Sequence, residues 1–259
     1  MPRYFLRVMY EGSAFVGWQR QKNGLSVQEA MEEVFRLQLG TEISLTAAGR
    51  TDSGVHALGM VVHADLPEAP ASPRDFLHKL NSHLPKGIAV TGLREVKPDA
   101  HARFDAYERR YQYRICLRKN PFEWGRAWML FASPDIALMQ SAAADFLGRH
   151  DFSAFCSTRS TEQDRFCDVK EVTVKAAGDL LTMHIRADRF LMNMVRTMVG
   201  TLVEIGLGKR PANDIPAILE SRDRRQAGMK APAEGLYFME ALYPLKIFRD
   251  ERWLSLTDT

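Results

Sequence analysis

Hydrophobic periodicity switches between the strand period of two and the helical period of 3.6 in the same order twice along this chain. Residues 3–10 read as a strand. Residues 27–39 read as a helix, with Val27, Ala30, Met31, Val34 and Leu37 at helical spacing. Ser26 and Glu29 form a capping box ahead of it, and Gly40 is its expected stop. Strands are expected near 43–48 and 58–65. A second helix starts at Ser72-Pro73, with proline at the first helical position, and carries Phe76, Leu77 and Leu80. A strand near 88–96 closes the set.

The order then repeats. Residues 107–117 alternate, with Tyr107, Arg109, Tyr111, Tyr113, Ile115 and Leu117 on one face and Glu108, Arg110, Gln112, Arg114 and Arg118 on the other. A helix near 134–147 starts at Ser133-Pro134 and stops at Gly148. Strands near 169–177 and 181–187 flank Gly178-Asp179, a hairpin signal. A long helix covers about 190–205, and a strand near 236–243 ends the chain's second set. Each half reads β-α-β-β-α-β, the ferredoxin-like order. No residue-level repeat accompanies it, so the duplication rests on element order alone. The expected division is 1–105 and 106–259, with the junction in 97–106. Irregular stretches at 149–168 and 207–235 are long enough to carry function.

A chain of 259 residues accommodates one large or two small domains. The three cysteines, Cys116, Cys156 and Cys167, are widely spaced, which supports neither a zinc site nor a disulfide framework. They read as buried thiols of a reducing compartment. The N-terminus has no apolar run of signal-peptide length, and no apolar run is long enough to span a membrane. A cytoplasmic protein is therefore expected. The net charge is only +3, but Arg109, Arg110, Arg114, Arg118 and Lys119 cluster, as do Arg222, Arg224, Arg225 and Lys230. Such clusters suit a phosphate backbone, although interleaved acids such as Glu108 and Asp223 equally fit a solvated face.

The densest chemistry lies in Gly49-Arg50-Thr51-Asp52-Ser53-Gly54-Val55-His56-Ala57. Two glycines frame a carboxylate on a tight turn, with a guanidinium two residues away. A turn aspartate that only caps its own backbone is the plain alternative. The segment resembles the active-site motif of the TruA-type tRNA pseudouridine synthases, with Asp52 at that family's nucleophile position. Tyr10 to Gln21 resembles the family's opening segment, with Glu11 in place of the usual Asp. His101-Ala102-Arg103-Phe104 with Arg109 to Tyr113 resembles its second motif, Phe190 to Gly200 its third, and Ala231 to Tyr237 its last. Five blocks in family order make the resemblance specific. Met60 departs from it, standing where the family often has Gln.

The resemblance implies an α+β pseudouridine synthase fold. Two ferredoxin-like halves would form one curved, mixed, mostly antiparallel sheet flanked by helices and loops, with the active cleft between them. It implies isomerisation of uridine at positions 38, 39 and 40 of the tRNA anticodon stem-loop by a homodimer. Asp52 and Arg196 would be catalytic. Tyr111 would stack on the target uracil, Leu236 would wall the base pocket, and Arg50 would fill the gap left by the flipped base. Each has a plainer reading: Tyr111 as core, Arg50 as the ion-pair partner of Asp52, Arg196 as the partner of Glu204 or Asp188. Arg196 lies in a helix apolar over most of its circumference, so its buried charge needs a partner. His56 and His63 are assigned no chemistry.

Breaking the N1–C1′ bond and rejoining the base through C5 needs a carboxylate and exclusion of water. No metal or organic cofactor is required. Gly206-Leu207-Gly208 follows a helix and precedes Lys209-Arg210-Pro211, so it is not a dinucleotide loop. Two rival functions fit the same fold. An RNA-binding protein without catalysis would not need Asp52, Tyr111 and Arg196 together. A nucleoside hydrolase-like enzyme would release free uracil.

Overall fold

A computed structural model describes residues 1–249 and 252–255. Its elements in chain order are β1 (Arg3–Tyr10), α1 (Val27–Leu39), β2 (Thr46–Ala47), β3 (His56–Asp65), α2 (Pro73–His83), β4 (Ile88–Val96), β5 (Glu108–Cys116), β6 (Trp128–Met129), α3 (Ile136–Ala143), β7 (Gly148–Asp151), β8 (Phe166–Ala177), β9 (Leu180–Ala187), α4 (Met194–Gly206), α5 (Asp214–Ser221), β10 (Leu236–Leu242) and β11 (Leu254–Ser255). The chain is thus α+β with mostly antiparallel strands. It divides into two units. One comprises Met1–Tyr107 with the described residues from Phe238 on; the other is Glu108–Tyr237. The first break falls two residues beyond the expected division at 105/106. The stretch from Phe238, read in the sequence as part of the second half, packs with the first unit.

In the first unit the strands follow the order β11-β4-β1-β3-β10, with β2 also on β3. The β1–β3, β1–β4, β2–β3 and β11–β4 pairings are antiparallel. The cap of α1 forms as the sequence predicts: Ser26 accepts from the Glu29 N–H, and Gly40 closes the helix at φ +68°. The helix buries Val27, Ala30, Met31, Val34 and Phe35, whereas Leu37 is 61% exposed. The strand expected over 43–48 shrinks to two residues. Side chains of α1 take its backbone groups instead: Leu45 N–H donates to Glu32 Oε1 (3.1 Å), and Gln28 Nε2 donates to the Leu45 carbonyl (3.1 Å).

In the second unit the order is β5-β9-β8-β7, antiparallel throughout, with β6 parallel on β5. The order β5-β9-β8 parallels β1-β3-β2: in each, the strand that comes last in the sequence lies between the other two. The third helix starts later than Ser133-Pro134. Its cap is Asp135, which accepts from the Leu138 N–H at 3.0 Å. The irregular stretch 149–168 holds the end of β7 and the start of β8, and 207–235 holds α5. Glu108, placed by alternation on the open face of its strand, is only 6% exposed. Arg110, Arg186 and Lys170 reach it at 2.6, 3.5 and 3.8 Å, which compensates the buried charge. Every residue of α4 except Glu204 is buried, as its apolar circumference predicts.

Candidate active site

Asp52 sits on the turn between β2 and β3, half-buried. The Val55 N–H donates to the Asp52 carbonyl (3.2 Å), and Gly54 takes φ +81° to complete the reversal. The turn is clamped by residues 10–18. Tyr10 Oη and Thr51 Oγ1 share a buried hydrogen bond of 2.8 Å. The Trp18 N–H donates to the Thr51 carbonyl (3.1 Å), Ser53 Oγ donates to the Phe15 carbonyl (3.2 Å), and Gly17 forms a β-bridge with Asp52 itself.

Two glycines make this clamp possible. A Cβ on Gly12 would lie 2.1 Å from the Val55 carbonyl oxygen, and one on Gly17 would lie 2.5 Å from that of Thr51. Gly17 also has φ +105°. The opening segment of the chain is thus the mould of the Asp52 turn.

His56 completes the clamp. Its Nδ1 lies 3.0 Å from the Gly12 N–H and 3.4 Å from Glu11 Oε1. A nitrogen that accepts from an amide carries no proton for a carboxylate, so the geometry describes a neutral ring protonated on Nε2, not an ion pair. Glu11 instead caps the following 3-10 turn through the N–H and hydroxyl of Ser13. The exchange of Asp for Glu keeps a capping carboxylate. The role of His56 was invisible in the sequence, because its partner is a backbone amide 44 positions away. Arg50 is exposed and makes no ion pair with Asp52 among the described residues, so the plain reading of that pair does not hold.

The remaining site residues lie in the second unit. Tyr111, half-buried, pairs with Ile185 across β5 and β9, and its ring meets Phe190 edge-on at 5.1 Å. Arg196 lies in the first turn of α4, 8% exposed. Its Nε donates to the Ala231 carbonyl (2.7 Å), and the Ala231 N–H donates back to the Arg196 carbonyl (3.0 Å). The two acids considered as structural partners have other work. Asp188 accepts from the Asp168 and Arg189 N–H groups, and Glu204 binds Arg210 and the Met229 N–H.

From Ala231 the chain runs to Leu236, which is 6% exposed. Tyr113 Oη donates to the Pro232 carbonyl (2.7 Å), and Gly235 is seated so close that a Cβ would lie 2.6 Å from the Tyr113 ring. Gly200 does the same on α4, where a Cβ would meet the Met229 carbonyl at 1.8 Å. Burial raises the Tyr113 hydroxyl well above its ordinary pKa, with Glu234 adding to the effect and Arg196 opposing it. Tyr113 is therefore a neutral structural donor. Tyr113 on β5 and Arg196 on α4 both hydrogen-bond the 231–236 segment, which links the elements that carry Tyr111, Arg196 and Leu236. No group of three His, Cys, Asp or Glu side chains suited to a metal occurs among the described residues.

A family model described as tRNA pseudouridine synthase matches residues 7–105 and 142–244. The chain belongs to the tRNA pseudouridine synthase family. Relatives named tRNA pseudouridine synthase A agree over nearly the whole length. One from Beijerinckia indica subsp. indica is 45% identical across 94% of this chain and 95% of its own. One from Rhodospirillum rubrum is 44% identical across 94% and 88%. One from Parabacteroides distasonis is 39% identical across 96% and 98%. Membership makes this chain an isomerase of tRNA uridines, and both matched spans contain residues that the sequence singled out: Asp52 and Arg50 in one, Arg196 and Leu236 in the other. Tyr111 lies between the two spans. No helix of the described residues is long and apolar enough to cross a membrane.

Proposed function

We propose that this synthase converts uridine to pseudouridine at positions 38, 39 and 40 in the anticodon stem-loop of tRNA, with Asp52 as its nucleophile. The observation that carries the reading is the clamp on the Asp52 turn. A carboxylate that merely capped its own turn would not need two obligatory glycines, a buried Tyr–Thr hydrogen bond and a β-bridge to fix the backbone around it. Rigid placement of a half-exposed carboxylate is what nucleophilic chemistry requires.

The reaction is an isomerisation. The N1–C1′ bond breaks, C5 bonds to C1′, C5 loses a proton and N1 gains one. No outside group enters. Asp52 supplies the electron pair for the electron-poor centre. Arg196 is the second catalytic residue, a role that rests on the sequence motif. Tyr111 offers its ring to the base, Leu236 an apolar wall, and the exposed Arg50 a cation for the displaced strand. A stem uridine must leave its stack before a carboxylate reaches its sugar, so an extruded base is part of this reading. We assign the working form as a cytoplasmic homodimer, since a whole tRNA exceeds the reach of a single small RNA-binding module.

Incubation of the purified protein with unmodified tRNA, followed by chemical mapping of pseudouridine, tests the reading. Asp52→Asn should bind tRNA and fold as the wild type does yet form no product. Turnover near the wild-type rate overturns Asp52. Free uracil as the product would make the protein a hydrolase, and binding without product would make it a pure RNA-binding protein. Sedimentation as a fully active monomer at nanomolar concentration would refute the dimer.

A further inference from the structure

An open pocket of about 680 Å³ lies wholly within the second unit, and none of its lining residues is among the candidate site residues described above. Ser153, Cys156, Ser157, Thr158 and Arg165 form one side; Arg222, Asp223, Arg224 and Arg225 form the other. Two of the four arginines are neutralised. Arg222 pairs with Asp151 (3.1 Å), and Arg225 grips Asp223 (2.7 Å). Those acids are used further: Asp151 also holds the N–H and hydroxyl of Ser153, and Asp223 the Arg225 N–H.

Arg165 and Arg224 have no carboxylate partner among the described residues. Arg165 donates to the Cys156 sulfur, a weak acceptor, and to the Ser160 carbonyl. Arg224 donates to the Ala227 carbonyl (3.3 Å), and burial depresses its pKa although Glu204 opposes the shift. With Arg222 and Arg225 paired to acids, the positive charge of the pocket lies on Arg165 and Arg224. Partly buried guanidiniums with no carboxylate in direct contact are costly unless an anion arrives to bind them.

We infer that this pocket binds a backbone phosphate of the substrate RNA, gripped by Arg165 and Arg224 with Thr158 at its rim. The inference rests on the reading that the chain acts on tRNA. It gives the 222–225 basic cluster a ligand that the reaction itself does not, since isomerisation involves no phosphate. Its role is positioning: it fixes where the tRNA lies, not what happens to the uridine.

The test measures equilibrium binding of unmodified tRNA across a range of salt concentrations for wild type, Arg165→Gln, Arg224→Gln and Arg224→Lys. Each Gln variant should bind more weakly and lower the slope of log affinity against log salt by about one phosphate contact, roughly 0.7–0.9. Arg224→Lys keeps the charge and should keep the slope. At saturating tRNA the kcat of Arg224→Gln should equal that of the wild type while its KM rises. An unchanged slope in folded Arg224→Gln overturns the proposal, as does a loss of slope in Arg224→Lys equal to that in Arg224→Gln. Should Arg165→Gln fail to fold, the Arg224 variants decide alone. Inorganic phosphate, titrated at fixed ionic strength, separates the two sources of the anion. Tight binding of free phosphate with no change in the tRNA slope would assign the pocket to a free anion and overturn the RNA reading. Absence of pseudouridine from the wild-type reaction would sink the proposed isomerisation, while the slopes would still decide whether this pocket holds RNA.

Discussion

Acidification should loosen the connection into β5 through a single imidazole. His63 on β3 is 7% exposed, and its Nδ1 accepts from the Ala102 N–H at 3.0 Å. Tyr243 Oη holds the carbonyl of the same residue at 2.6 Å, so Ala102 is bound on both sides. Burial, then Arg3 and His101, push the His63 pKa down from 6.5 to about 4, against weaker opposition from Asp65 and Asp105. Above the unfolded value of 6.5 the ring is neutral in both states and costs nothing. Below it the unfolded chain takes up a proton that the folded one refuses, so stability falls with pH until the folded ring also protonates near 4. Between about pH 7.5 and pH 5 the loss from this group is about 2 kcal/mol. Burial also lowers the His101 pKa, which adds to the slope in the same direction.

Urea denaturation at constant ionic strength over that range, for wild type and His63→Asn, isolates the term. Asparagine Oδ1 can accept from Ala102 but cannot charge. The variant should be less stable at neutral pH, because the ring leaves a void, and yet show the shallower pH dependence. An identical pH slope in both proteins, or a folded-state His63 that titrates near 6.5 by NMR, would refute the reasoning.

Gly12→Ala places a methyl 2.1 Å from the Val55 carbonyl oxygen. The Asp52 turn must shift, and we expect a stability loss of about 1–3 kcal/mol with a larger loss of kcat than of tRNA affinity; normal turnover would show that the clamp is not needed. Arg196→Lys keeps charge but loses the Nε donor to Ala231, so activity should fall less than in Arg196→Met, and equal activity in the two would remove charge from its role. Tyr111→Ala should weaken RNA binding by roughly 1–3 kcal/mol through lost stacking, and Tyr111→Phe should retain most of it; wild-type behaviour in both makes Tyr111 ordinary core.

Local signals in the sequence located most elements because their causes are local. Ser26, Glu29 and Gly40 bound α1, and Ser72-Pro73 opens α2, each by capping within a few residues. What failed was decided at long range. Pro134 does not start α3: Asp135 takes an extended conformation and caps the helix, while its N–H is held by the Gly206 carbonyl at the end of α4. Residues 43–45 look like strand, but Leu45 surrenders both its backbone groups to Gln28 and Glu32. Asp52, Arg196 and Tyr111 were legible as motif residues. Why Gly12 and Gly17 accompany Asp52 was not, since the reason is a non-bonded approach between segments some 40 residues apart.

The return of β10 to the first unit bears on the order in which this protein can be made. Strand β3 lies between β1 and β10, and Gly59 lets the Met239 carbonyl approach to where a Cβ would be 2.4 Å away. On the ribosome, residues 1–107 emerge first with α1, α2 and four strands complete, but that sheet lacks a neighbour until some 130 more residues have been synthesised. For that interval one side of β3 is covered where Thr46, Ala47 and Ala48 bond to it. Elsewhere its amides and carbonyls form an open template for strands of other chains. A nascent chain stalled before Leu236 should therefore depend on chaperones to a degree that the finished protein does not, and a stand-alone 1–107 fragment should aggregate through β3.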